Sequence, residues 1–284
     1  MQSIAVGPIG PSTGWLSAKL GSSLEGHSRI LTQANVTAAE MVCHSKQRME
    51  DMLQGRLPPT LQYVSLHLSG FQNFLPGARE TDNTLEQTLT DVQEVVSRHH
   101  IQGAPAHPDI IPSHIYPMLR ERSIPVCIEN MDRDKQYGKT VEELQTLGTN
   151  HELPYILDVQ HAYENSRDAG GNGFDLSEQF ADMMIQGNGI KHLHVSGEFT
   201  NQGKQLLLHA QLHIATNRRE IIHAVRSVLQ RTQQPLPIIL EGEYLLDIPY
   251  DYQPRDASEQ LELEARCAQD ICQEIQCLLN EING

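Results

Sequence analysis

No stretch of about 18 consecutive apolar residues occurs in this sequence, so no segment is built to cross a membrane and no membrane partner is expected. Positive charge is also scarce, with 21 Lys and Arg against 36 Asp and Glu and a formal net charge of −15. Duplex-binding surfaces draw much of their affinity from neutralising phosphates. A broad nucleic-acid face is therefore disfavoured, though a total leaves room for a small basic patch. Five cysteines form an odd set, and no basic segment followed by an apolar stretch stands in residues 1–11. Both features fit reduced thiols and a cytoplasmic protein rather than a disulfide framework. A Gly-rich phosphate fingerprint is missing after the first β-rich run, which argues against an open dinucleotide-binding sheet.

What is present is length, histidine and alternation. The 284 residues include 14 histidines beside a single Trp. Short β-rich runs at 4–7, 36–43, 62–68, 101–107, 126–129, 155–158, 190–195 and 238–241 alternate with amphipathic stretches. Leu85, Leu89, Val92 and Val96 recur at helical spacing, as do Ile221, Ile222, Val225, Val228 and Leu229. Residues 259–282 read as a closing helix with Leu261, Ala265, Ala268, Ile271, Ile275 and Leu278 as its buried stripe. Eight strand–helix units predict an α/β fold: one (β/α)8 TIM barrel over residues 1–284, with no second domain. The second run has the least distinct pattern. Oligomeric state leaves no mark in the sequence.

Barrel enzymes place their chemistry where strands end. The third run ends at His67, the fourth at His107, the fifth at Glu129-Asn130, the sixth at Asp158-x-x-His161, the seventh at His192-Leu193-His194 and the eighth at Glu241. Such carboxylates would repel one another, and such imidazoles would be costly to bury without partners. A divalent cation resolves both problems. Imidazole and carboxylate ligands without cysteine suit Zn, Mn, Fe or Co, and so many donors predict two or three ions. His192 and His194 share one strand face. His194 is the expected ligand, and His192, one layer deeper, the residue that orients a neighbour or touches substrate.

Taken in order, His67, His107-Pro108, Glu129-Asn130, Asp158-x-x-His161, His194 and Glu241 resemble the xylose isomerase-like barrel superfamily. The ligand plan is most similar to that of endonuclease IV and its three zinc ions. The resemblance implies metal ligation by His67, His107, Glu129, Asp158, His161, His194, His209 and Glu241. Where endonuclease IV has an Asp two residues before the equivalent of His209, this chain has Leu207, which favours two ions over three. Its Gly-rich segment after the fifth-strand Glu is replaced by Met131-Asp132-Arg133-Asp134, and the sixth-strand motif runs on as Ala162-Tyr163-Glu164.

A second branch, the ketose epimerases and isomerases, holds one ion on a set similar to Glu129, Asp158, His194 and Glu241. The segment from His192 to Glu198 resembles its seventh-strand motif, with Thr200 in place of a substrate-binding Arg. That likeness implies catalysis by Glu129 and Glu241, and substrate contacts from His192, Glu198 and Asn130. Iron enzymes that oxidise peptide cysteines share the Glu129-Asn130 pair, but their sixth-strand Asn is not matched at His161. The leading expectation is metal-assisted isomerisation or epimerisation of a small sugar or related polyol. Zinc-dependent cleavage of abasic DNA and iron-dependent peptide oxidation are the alternatives.

Three further features carry less. Cys267, Cys272 and Cys277 recur at five-residue steps, which splays their thiols around a helix and prevents a shared ion. Residues 170–173 are glycine-rich and read either as a lid or as an ordinary turn. Arg218-Arg219 opens a helix and reads as a solvated helix end or a phosphate contact.

Overall fold

Branched and small apolar residues in short runs form parallel strands, and the amphipathic stretches between them form the covering helices. The computed structural model describes residues 4–20, 23–43, 46–68, 82–200, 206–250 and 252–284. Strand β1 (Ile9–Pro11) precedes α1 (Gly14–Leu20) and α2 (Leu24–Gln33), and β2 (Ala38–Val42) precedes α3 (Lys46–Gln54). Then come β3 (Tyr63–His67) with α4 (Asp82–His99), β4 (Ala104–Ala106) with α5 (Ile115–Glu121), and β5 (Val126–Glu129) with α6 (Val141–His151). Strand β6 (Tyr155–Asp158) runs straight into α7 (Val159–Asp168), followed by α8 (Asp175–Gln186). After β7 (Ile190–Val195) come β8 (Gly197–Thr200) and β9 (Leu206–Ala210), then α9 (Arg218–Thr232), β10 (Ile238–Leu240) and α10 (Ala257–Asn283).

Six strands make one parallel sheet in the order β1-β10-β7-β6-β5-β4, a half-barrel, and β2-β3 form a parallel pair. Backbone bonds tie this pair to both flanks. Thr13 donates to the Glu40 carbonyl at 2.7 Å and Thr37 to that of Ile9 at 3.1 Å, while Leu66 donates to Gly103 at 2.9 Å and Leu68 to Pro105 at 2.8 Å. The helix-facing side of the strands contributes to one large apolar cluster, a smaller cluster packs α1 and α2 against α10, and inward-facing Ala38, Tyr63 and Ile239 form a third.

Three sequence expectations need correction. The first strand lies at Ile9–Pro11 rather than 4–7, because its partner β10 starts only at Ile238. Pro8 and Pro237 have no N–H with which to extend that ladder. Second, a strand is not always followed directly by a helix: the antiparallel pair β8-β9 stands between β7 and α9 and carries Glu198 and His209. Third, the buried stripe of α10 departs from expectation at its start, where Leu261 and Ala265 are exposed, while Ala268, Ile271 and Leu278 are buried as expected. Leu263, Cys267, Ala268, Ile271, Leu278 and Ile282 are buried, whereas Leu261 is 49% exposed. The helix also buries Glu264 and Glu274, which an apolar-periodicity reading assigns to the outer face. Arg29 binds the first with two bonds of 2.8 Å, and backbone N–H groups bind the second. Cys267 is buried, Cys277 half-buried and Cys272 exposed.

Candidate metal centre

Alternation along parallel strands stacks inward side chains in layers. Glu40 on β2 is level with Ser65 on β3 and bridged to Ser12 beside β1, while two residues further on Val42 is level with His67. On β6 and β7, Ile156 is level with His192 and Asp158 with His194. Glu241 follows β10 and is fixed there by its N–H, which donates to the Val195 carbonyl at 3.0 Å. The upper layer therefore collects the strand-end histidines and carboxylates, and the lower one holds Glu40 and His192.

Glu129 stands at the centre, 1% exposed. Its Oε2 lies 3.3 Å from His67 Nε2 and 3.4 Å from His107 Nε2. Its Oε1 lies 3.0 Å from His194 Nδ1, which is also 3.5 Å from Glu241 Oε2. Asp158 caps α7: one carboxylate oxygen accepts the His161 N–H at 2.8 Å, and this places His161 a turn beyond the strand end. Asn130 grips the Asp158 backbone twice, donating to its carbonyl and accepting from its N–H, both at 2.8 Å. His161 Nδ1 lies 2.9 Å from the Asn130 carbonyl and donates to it, so Nε2 is the nitrogen that a cation could take. His209 on β9 sits beside these groups, its ring 5.8 Å from that of His161 and 5.7 Å from that of Trp15.

A cation fits this arrangement. His67, His107 and Glu129 offer ligand atoms within 4.8 Å of one another, and so do Glu129, Asp158, His194 and Glu241. Glu129 Oε2 and Asp158 Oδ2 are buried without a hydrogen-bond partner among the described residues. Such orphaned carboxylate oxygens are costly in a protein interior, and an ion beside Glu129 satisfies both groups. The field of the cluster shows in its acid–base balance. Burial is the largest influence on the Glu129 carboxyl and pushes it up, but the charge on His194 and the contacts with His107, His194 and His67 together outweigh it and hold the group well below its ordinary value. For Glu241, burial dominates and raises the carboxyl well above that value. Burial alone would lower His161, yet Asp158 and Glu129 beside it raise the imidazole to about 9.

No protein-family model matches the sequence, and no curated protein matches it. Solved structures do. A xylose isomerase domain containing protein from Salmonella typhimurium superposes with a TM-score of 0.59 at 13% identity, over 98% of this chain and all 100% of its own. A putative sugar phosphate isomerase/epimerase from Anabaena variabilis gives 0.58 at 10% identity, over 96% and 100%. Endonuclease IV from Thermus thermophilus gives 0.53 at 14% identity, over 95% and 99%. The fold is xylose isomerase-like. Identities this low speak for the fold alone.

Within this xylose isomerase-like fold, six of the eight sequence-expected ligands, His67, His107, Glu129, His161, His209 and Glu241, line one cavity of about 440 Å³ together with Trp15, Val42, Asp132 and Lys135. Asp158 and His194 are fully buried beside Glu129 and Glu241. The three expected substrate contacts lie elsewhere. Asn130 is buried behind Asp158, and His192 is buried beneath His194, their Nε2 atoms 2.9 Å apart. Glu198 borders a separate cavity with Glu164 and Arg133 and binds Arg167 at 2.6 Å. Sequence reasoning missed Glu40, 0% exposed and 3.0 Å from His194 Nε2. A carboxylate inside the apolar run Ala38-Ala39-Glu40-Met41-Val42 was the available signal, since unpaired Glu is almost never fully buried.

Proposed function

We propose that this chain is a divalent-metal-dependent isomerase or epimerase acting on a small sugar or related polyol, built as one (β/α)8 barrel over residues 1–284. The bonds joining β2-β3 to β1 and to β4 support the closed barrel. The observation that carries the function is the cavity. At about 440 Å³ it falls in the range of small-molecule sites, and Glu129 and Glu241 both line it. A net charge of −15 favours a small substrate over a polyanionic backbone.

Two ions, drawn from Zn, Mn or Fe, are proposed, one on His67, His107 and Glu129 and one on Glu129, Asp158, His194 and Glu241. His161 and His209 would hold a third, for which β9 supplies Leu207 rather than a carboxylate. Bound there, a divalent ion supplies Lewis-acid polarisation of adjacent substrate oxygens. Glu129 reaches the cavity from β5 and Glu241 from the end of β10. One removes the proton from a carbon held between them, and the other returns a proton to the opposite face. Trp15 forms an aromatic wall, and Lys135 and Asp132 place polar groups at the rim. Asn130 acts at one remove by fixing Asp158, His192 by packing under His194, and Glu198 through the neighbouring cavity.

The test is solvent-deuterium exchange into a panel of ketoses and sugar acids, with the chain loaded in turn with Mn, Co, Zn and Fe. Deuterium should enter at the carbon beside the carbonyl of at least one compound. Glu241→Gln should slow that exchange by about 100-fold or more. Nicking of an abasic duplex with no exchange in any sugar would overturn the reading in favour of a nuclease.

A further inference from the structure

We infer that Glu40 is the positioning carboxylate of the metal centre, holding His194 by Nε2 so that Nδ1 faces the ion. The inference rests on the metal centre proposed above and goes beyond it to a residue outside both proposed ligand sets. Glu40 Oε2 lies 3.0 Å from His194 Nε2. A carboxylate at that distance requires the proton on Nε2. Nδ1 faces Glu129 Oε1 at 3.0 Å and Glu241 Oε2 at 3.5 Å, so in the metal-free chain it carries a second proton. A cation on that ligand set would displace this proton while Nε2 keeps its own on Glu40. A histidine ligand whose far N–H donates to a carboxylate is fixed in tautomer and orientation and is a stronger donor.

Glu40 itself is rigidly held. The Ser12 hydroxyl donates to Oε1 at 3.2 Å and the Ser65 hydroxyl to Oε2 at 2.9 Å, so three adjacent strands fix one side chain. With the His194 bond both Glu40 oxygens have donors, whereas Glu129 and Asp158 each keep one oxygen, Oε2 and Oδ2, with no donor among the described residues. That contrast separates a supporting carboxylate from a ligand, although Glu40, His67, His194 and Glu241 also lie within 4.8 Å of one another. His192 completes the arrangement. Its Nδ1 meets the Tyr63 hydroxyl at 2.7 Å, and with a proton there its Nε2 accepts a share of the His194 N–H at 2.9 Å. Gly103 leaves room for this contact, since a Cβ there would stand 2.5 Å from the Tyr63 oxygen.

The experiment is Co(II) titration of the full chain, read by visible absorption and by competition with a chelator, beside thermal unfolding of the metal-free protein. Glu40→Gln should bind the same number of Co(II) ions as the parent with affinity weakened by about 10- to 100-fold. Its absorption bands should shift as the His194 donor weakens. Its metal-free Tm should fall, because the substitution removes one partner of the buried Glu40–His194 pair. A purely structural role would lower that Tm alike but leave both the Co(II) affinity and the bands in place. Affinity within about twofold of the parent would overturn the inference, as would loss of a whole equivalent, which would make Glu40 a ligand. Should Glu40→Gln fail to fold, Ser65→Ala decides: weakened Co(II) binding supports the inference and parent-like binding overturns it. A parent that binds no Co(II), Mn, Zn or Fe sinks the metal centre itself, whereas a parent that binds while Glu40→Gln matches it sinks only the role of Glu40.

Discussion

Glu129 belongs to both proposed ligand sets, so replacing it removes charge from each. Glu129→Gln is expected to lower metal content by at least half, measured by mass spectrometry on protein purified without chelator; unchanged content would remove Glu129 from the centre. His194→Asn should lose metal far more than His192→Asn, because only His194 offers a nitrogen to the carboxylates of the upper layer. Equal losses would place both histidines at the ion. Glycine gives a separate test of packing. A Cβ at Gly148 would stand 1.9 Å from the buried Tyr155 hydroxyl, so Gly148→Ala should cost about 1–3 kcal/mol in urea unfolding. The strand-end histidines and carboxylates were legible as single residues because their types and order are local facts. Glu40 was not, since its meaning comes from Ser12, Ser65 and His194, the last of them 154 residues away.

Helix α10 closes the fold through polar anchors as much as through its apolar stripe. Buried Glu274 accepts the Leu212 N–H at 2.6 Å and faces His213 Nδ1 at 3.2 Å, holding the segment that follows β9 and its His209. Glu274→Ala should cost about 1.5–3 kcal/mol by denaturant unfolding, the range for hydrogen bonds to a charged group. The hydrogen bond to Glu274 raises His213 above its ordinary value. A raised imidazole stabilises fully below its unfolded value of 6.5 and loses that contribution as pH rises through the folded one. His213→Gln should therefore lower Tm more at about pH 6 than at about pH 9, and the reverse ordering would exclude the ion pair as the cause. Most elements were legible from their periodicity, α4 among them, where Leu89 and Val92 are buried as expected. The polar part of the buried face of α10 was not, because Glu264 and Glu274 are buried by partners on other elements.

Across the whole molecule, Glu40, Glu129, Asp158 and Glu241 crowd one interior. A cation that binds the folded state alone stabilises it by mass action. At a hundredfold excess over Kd the gain is about 2.7 kcal/mol, so Tm should rise by roughly 5 °C or more on loading and fall back with chelator. A Tm indifferent to both treatments would count against an ion at this place. Residue order along the chain was enough to read the alternation of strands and helices, the acidic and histidine-rich character, and the donors at the strand ends. These follow from residue type and short-range period, which act within a few positions along the chain. Tertiary structure alone decided which donors meet, that β8-β9 brings His209 to the cavity while Glu198 faces another, and that a carboxylate on β2 lies beneath His194. Those outcomes depend on register between strands far apart in sequence, and register is set by hydrogen bonds and packing that no local pattern encodes.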